Sequence, residues 1–293
     1  MRDASRRMRR FAVALAVSVP AALATSPVVA AVINVVPGPN ALGAALAAAN
    51  PGDTLRIHAG TYAESVTISV ANLKLVGAGD GVATIDGGCA TDIAIAVRAN
   101  GVILAGLRVI GAGGSGGFPK AIDFDSVASG AVLGSIVEET CGDAEYGINV
   151  FQCGGLTLAG NVASGFGDAG IYIGGITATP NRKMLIVGNE LEENTRGIIV
   201  EDSAGGTILV QGNSIRNNDT TGIFLTNSDG VRIVANSVTG NGDAGIELNA
   251  TSDQNRVLFN QVTGNGTDLV NDGGAGNCWL GNPHASSSGD VGC

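Results

Sequence analysis

Three aspartates and one lysine are the residues of this sequence best suited to acid–base work. Asp86 lies in TIDG, and Lys120, Asp123 and Asp125 lie together in KAIDFD. Two carboxylates about 5–9 Å apart can divide the acid and base roles in cleaving a glycosidic bond. The same oxygens can ligate Ca²⁺, which takes several oxygen ligands. Asn149, Phe151 and Tyr172 sit in segments of the same pattern. They would supply an amide and two rings on which a sugar can rest. The plain alternative is that aspartate favours strand-to-turn junctions, and the outer face of any soluble chain must be polar somewhere.

Other candidates have weaker grounds. His58, in RIHAGTY, is one of only two histidines. Histidine suits proton transfer, but this one falls in the opening coil and reads as structural. Glu247, in GIEL, reads as a solvated outward residue. Trp279, beside Cys278, reads as a plug for the C-terminal core. Asn218, Asn249 and Asn265 head N-x-T sequons, which matter only in a glycosylating host.

These residues must be positioned by a repeat. Gly-Ile-x-apolar recurs as GINV, GIYI, GIIV, GIFL and GIEL, from Gly147, Gly170, Gly197, Gly222 and Gly245. A second column runs through Asn189, Asn213, Asn236 and Asn260, and a third through Asn194, Asn218, Asn241 and Asn265. The pentapeptide VTGNG occurs at Val238 and again at Val262. Alternation of period two within each repeat is the signature of strands. A repeat of about 24 residues has no room for the crossover helix of a βαβ sheet. Three short strands per repeat fit an all-β, right-handed parallel β-helix whose coils stack about 4.8 Å apart. Equivalent asparagines then lie above one another and can form hydrogen-bonded ladders.

In this register the first outward column contains Arg56, Asp86, Asp123, Asn149, Tyr172, Ile199, Phe224 and Glu247. The second contains His58, Asp125, Phe151, Glu201, Thr226 and Asn249. Asp86, Asp123 and Asp125 would share adjacent coils, with Lys120 close by.

The chain divides into a leader at 1–31, a cap strand and helix at 32–53, the β-helix at 54–282 and a tail at 283–293. The leader has a basic start, MRDASRRMRR, and an apolar run of signal-peptide length, with small residues at Ala22-x-Ala24 or near Ala30 and Ala31 for cleavage. The cap helix is expected in NALGAALAAANPGD, with Asn40 as its N-cap and Leu42, Ala45, Leu46 and Ala49 on one face. GAGGSGG at 111–117 reads as an inserted loop. No later segment could span a bilayer as a helix.

Taking the five arginines and Asp3 of the leader from 16 basic and 26 acidic residues leaves 11 and 25, a net charge near −14. Phosphate backbones need a basic face, so nucleic acid is not an expected partner. A polyanionic sugar would need a bridging cation. Of the five cysteines, Cys278 and Cys293 form the expected disulfide, closing a short C-terminal loop. The pairing of Cys89, Cys141 and Cys153 stays open. An extended strand would hold Cys141 and Cys153 apart unless the loop between them folds back.

PGDTLRIHAGTYAESVTI, followed by NLKLVGAG and TIDGG, resembles the opening of pectin-lyase-like right-handed β-helix proteins. The later Gly-Ile-x-Val and Gly-Asn-x-Ile units are similar to the short parallel β-helix repeats of that superfamily, and NCWLGN resembles closures of its secreted bacterial members. The resemblance covers nearly all of the chain after the leader. It implies a secreted protein, extracellular or periplasmic, that meets a carbohydrate polymer. Lyases, epimerases and hydrolases share the fold with proteins of no catalytic activity, so it leaves open whether this chain is an enzyme. The galacturonase set Asn-Thr-Asp, Asp-Asp, His-Gly and Arg-Ile-Lys is absent. Asn282-Pro283-His284 is similar to the Asp-Pro-His of mannuronan epimerases, but Asn replaces Asp and the tripeptide lies in the tail. Lyases of the superfamily need a Lys or Arg base near metal-bound carboxylates; Lys120, Arg182 and Lys183 are available.

Overall fold

The computed structural model describes residues 29–114, 116–177, 183–204 and 207–293. The leader reading falls on residues that lie, up to position 28, outside that description, as does Arg182. Between Thr54 and Leu280 the chain winds through three parallel sheets in rotation. Among the described residues sheet A has eleven strands, sheet C ten and sheet B nine. Each strand pairs with its equivalents one coil before and one coil after, and every pairing is parallel. No helix among the described residues is long and apolar enough to cross a membrane.

Alternation fills the interior. In Lys120–Asp125, Ile122 and Phe124 point into the core and are fully buried. Stacking continues through Ile148, Ile171, Ile198, Ile223 and Ile246, each in register with the next and each fully buried. The glycine before each isoleucine has a steric cause. A Cβ on Gly222 would stand 2.6 Å from the carbonyl oxygen of Gly245 on the next coil. No side chain fits there.

Two asparagine ladders run up the corners. In one, each Nδ2 donates to the next Oδ1, from Asn161 through Asn189, Asn213, Asn236 and Asn260 to Asn282, at 2.8–2.9 Å. In the other, Asn194, Asn218, Asn241 and Asn265 follow at 2.8–3.1 Å, and Asp268 accepts the last bond. Buried amides are satisfied on every coil, so the turns cost little. Asn282 thus has a structural role, ending a ladder. VTGNG is explained in the same way: Val238 pairs with Val262 inside, and Asn241 bonds Asn265.

The helix spans Ala41–Ala48 and buries Leu42 and Leu46 over the first coil. Its capping differs from the expectation. Asn40 has φ 50° and makes no side-chain cap bond. The Glu64 carboxylate accepts the N–H groups of Leu42 and Gly43 instead, both at 2.8 Å. A carboxylate at the positive end of a helix is favourable, and no local spacing rule reaches a partner 22 residues away.

Cys278 is bonded to Cys293, and a second disulfide joins Cys89 to Cys141. Cys153 is a buried free thiol. Burial pushes it up to about 11, so it stays protonated and inert.

Candidate functional site on sheet C

The outward column of sheet C runs Asp123, Asn149, Tyr172, Ile199, Phe224 and Glu247. A second runs Asp125, Phe151, Gly174, Glu201 and Thr226. Arg56 and Asp86 do not belong to the first. Arg56 is on sheet A, in Thr54–Ile57, and Asp86 is on sheet B, in Ala83–Asp86. The position one coil before Asp123 is Ala96. His58, at the end of the Arg56 strand, also leaves the face; its Nδ1 is 2.7 Å from Asp80 and its Nε2 is 3.1 Å from Asn34.

A cavity of about 410 Å³ opens on this face. Lys120, Asp123, Asp125, Asn149, Phe151 and Tyr172 all line it, and Phe118, Tyr146 and Glu201 complete it. Phe118, on the segment after the inserted loop, is 63% exposed, and Phe151 is 39% exposed. Among the described residues the Asp86 side chain makes only a local bond, accepting the N–H of Gly88 at 2.8 Å.

The two aspartates of the cavity differ. Asp123 is buried, and both its oxygens are taken. Arg98 Nη2 lies 2.5 Å from Oδ2, and Asn149 Nδ2 donates to Oδ1 at 2.6 Å. Arg98 also donates to the Asp123 carbonyl at 3.0 Å. A carboxylate held on both oxygens by an arginine and a buried amide is fixed in orientation. Asp125 is half-buried, and among the described residues its carboxylate accepts only the Ser126 hydroxyl, at 2.7 Å. It keeps capacity for a ligand.

Tyr172 lies flat because Gly174 gives it room. A Cβ on Gly174 would stand 2.5 Å from the Tyr172 ring. The ring therefore crosses the vacant position, and its hydroxyl donates to Glu201 Oε2 at 2.7 Å. Tyr146 packs against it with ring centroids 4.8 Å apart and planes tilted by 46°. Burial, more than the neighbouring carboxylates, raises both phenols above their ordinary range. Both stay neutral hydrogen-bonding groups.

Sequence reasoning passed over Phe118, Tyr146 and Glu201 as site residues. Tyr146 opens its strand, in register with Lys120, a position that the alternation rule assigns inward.

At the far end of the column Glu247 is half-buried rather than solvated. Burial raises its carboxyl above the usual range, while the Thr221 hydroxyl, donating at 3.1 Å, works in the other direction.

A family model described as NosD, periplasmic copper-binding protein, matches residues 99–288. The chain belongs to the NosD family. Its coils are similar to those of the A-module of Azotobacter vinelandii mannuronan C-5 epimerase AlgE4, with TM-score 0.54 and 17% identity over 80% of each chain. They are also similar to ORF18 of Geobacillus virus E2, with TM-score 0.54 and 16% identity over 85% of this chain and 58% of that one. The pectate lyase Pel9A gives TM-score 0.50 and 13% identity over 89% of this chain and 78% of that one. These likenesses show the fold of the NosD-family chain, a parallel β-helix. No curated protein matches the chain.

The donor set does not fit copper, the metal of the NosD description. Copper favours imidazole, thiolate and thioether. His58 is engaged through both ring nitrogens, and His284 Nδ1 is 2.7 Å from the Asn282 carbonyl. Met184 and Cys153 are buried in the core. Glu139, Cys141 and Asp143 lie close together. However, Cys141 is in a disulfide, and the Glu139 carboxylate accepts three backbone N–H groups, of Cys141, Gly142 and Ala144. At the Asp123–Asp125 pair a Ca²⁺ ion would have to compete with the Arg98 guanidinium, which lies 2.5 Å from Asp123 Oδ2.

Proposed function

We propose that this NosD-family chain binds a carbohydrate polymer along sheet C, outside the cytoplasm, with the cavity as its main subsite. One observation carries the reading: the exposed rings of Phe118 and Phe151 stand over a floor of oriented polar groups, Asn149, Asp125 and the Tyr172–Glu201 pair. Saccharides present apolar ring faces and a rim of hydroxyls, and sites that take them combine apolar walls with a few placed polar groups. The description of the family as periplasmic, and the names of the epimerase and the pectate lyase, support the same reading.

The cavity carries three carboxylates, of Asp123, Asp125 and Glu201, against the ammonium of Lys120. Even with Arg98 offsetting Asp123, its field disfavours a polyanion. The polymer is therefore an uncharged one. Binding without turnover fits better than hydrolysis. Asp123 is locked, and Asp125 and Glu201 are three coils apart, about 14 Å at the spacing of stacked strands. That exceeds the separation at which two carboxylates share a glycosidic bond.

Affinity electrophoresis against neutral glucans, galactans and mannans, with pectate and alginate alongside, tests this. Retardation by at least one neutral polymer, lost in Phe151→Ala, is expected. Retardation by none overturns it. A second reading, a lyase or epimerase-like reaction, draws on Lys120, which lines the cavity with no carboxylate within 4.0 Å among the described residues. It predicts unsaturated products from a uronate polymer that vanish in Lys120→Gln.

A further inference from the structure

Charge is divided unequally between the three sheets. None of the eleven strands of sheet A contains Asp or Glu, in a chain with 26 acidic residues. The arginines of the other two faces are paired: Arg98 with Asp123, Arg108 with Glu138, Arg196 with Asp168 and Arg216 with Glu192. The four cations of the sheet A strands, Arg56, Lys74, Arg232 and Arg256, have no carboxylate within 4.0 Å among the described residues. The acids nearest the three arginines along the chain, Asp53, Asp229 and Asp253, each stand three residues before one of them and accept backbone N–H groups.

Between these cations the face is apolar. The outward column from Lys74 passes through Ile103, Ala131, Thr157, Leu185 and Leu209 before reaching Arg232 and Arg256. Lys74 and Arg232 are six coils apart, about 29 Å.

We propose that sheet A lies against an anionic lipid surface. An apolar strip flanked by unpaired cations is the pattern of interfacial membrane binding, and each cation near an anionic bilayer adds attraction. The rest of this acidic chain would be repelled, so only this face can make the contact. A second copy fits poorly: two sheet A faces packed antiparallel set Arg56 and Lys74 against Arg232 and Arg256, and packed parallel they set like on like. A linear polyanion fits poorly too, because the middle coils offer it no cation. The inference is independent of the sugar reading, which concerns sheet C.

The test places an environment-sensitive fluorophore on Leu185→Cys, on sheet A, and on Ser214→Cys, on sheet B, in the full chain. Vesicles of phosphatidylglycerol are compared with vesicles of phosphatidylcholine. A blue shift at 185 with the anionic vesicles only, and none at 214, is expected. Arg232→Gln with Arg256→Gln should weaken the partitioning about 25-fold. Equal responses at both positions, or none at 185, overturn the proposal. So does burial at 185 that grows with protein concentration in the absence of lipid, which marks a second copy. Circular dichroism confirms each fold, and Leu209→Cys replaces Leu185→Cys if that variant does not fold.

Discussion

The Tyr172 hydroxyl donates to Glu201 across a position that glycine leaves empty. Three residues on one face thus decide the shape of the cavity, and only two of them carry side chains. Gly174→Val would fill the floor and lift Tyr172 from Glu201. Titration with the retarding polysaccharide should show binding weakened more than tenfold in Gly174→Val, with the unfolding midpoint near that of the parent. Tyr172→Phe, which removes one hydrogen bond to a charged group, should cost about tenfold.

The architecture was legible because it is written redundantly. The Gly-Ile column and two asparagine columns share one period, and each has a steric or hydrogen-bonding cause that repeats on every coil. The outward column of sheet C was legible from Asp123 downstream, where Gly147, Gly170 and Gly197 anchor the register. Upstream it was not. All three sheets alternate with period two, so TIDG on sheet B and LRIH on sheet A look like sheet C strands. The true precursor strand, Ile93–Val97, carries Ala96 in the column and no polar residue to mark it. A signal was present in Ala94-Ile95 and Ala121-Ile122, where alanine stands for the glycine of the later repeats. The locking of Asp123 was beyond sequence reasoning, since Arg98 lies 25 residues away on another coil.

That ion pair can be tested directly. Removing Arg98 leaves a buried carboxylate with one amide partner. Arg98→Met should lower stability by about 3 kcal/mol at neutral pH, as read by urea unfolding. The double variant Arg98→Met with Asp123→Asn should recover most of the loss. A single variant as stable as the parent would show that Asp123 is solvated.

The ladders should be strongly position-dependent. Asn213 accepts the N–H and Nδ2 groups of Asn189 and donates to Ile186 O and to Asn236. Asn213→Ala strands all of these inside the protein and should cost about 2–5 kcal/mol. Ser214→Ala, half-buried one residue on, should change stability by less than about 0.5 kcal/mol. Denaturant unfolding of the pair, with slopes compared, separates the ladder from general loss of polarity.

Glu247 sets a pH dependence whose sign follows from burial. Its folded carboxyl is raised, so the folded state holds its proton more tightly than the unfolded chain. Its contribution to stability is therefore full below the unfolded value, near 4.5, and falls as pH rises through the folded value. At neutral pH the ionised group is a burden. Glu247→Gln should stabilise the protein at pH 7 and leave it unchanged near pH 3, as followed by thermal unfolding at the two pH values. A gain of equal size at both would assign the effect to packing.

The mismatch with copper gives the last prediction. A resident copper site needs several imidazole, thiolate or thioether donors converging on one point. Here the two histidines are far apart in the fold, one in the opening coil and one after the last, and each is hydrogen-bonded. Cys153 and Met184 are buried, and the other four cysteines are in disulfides. The two remaining methionines, Met1 and Met8, lie outside the described residues. Competition for Cu(I) against a chromophoric chelator, followed by absorbance, should leave all the metal with the chelator, and His58→Ala should change nothing. Retention of one equivalent would show that the chain binds copper through donors brought together in another conformation. Its loss in His58→Ala would then identify the imidazole that Asp80 and Asn34 now hold.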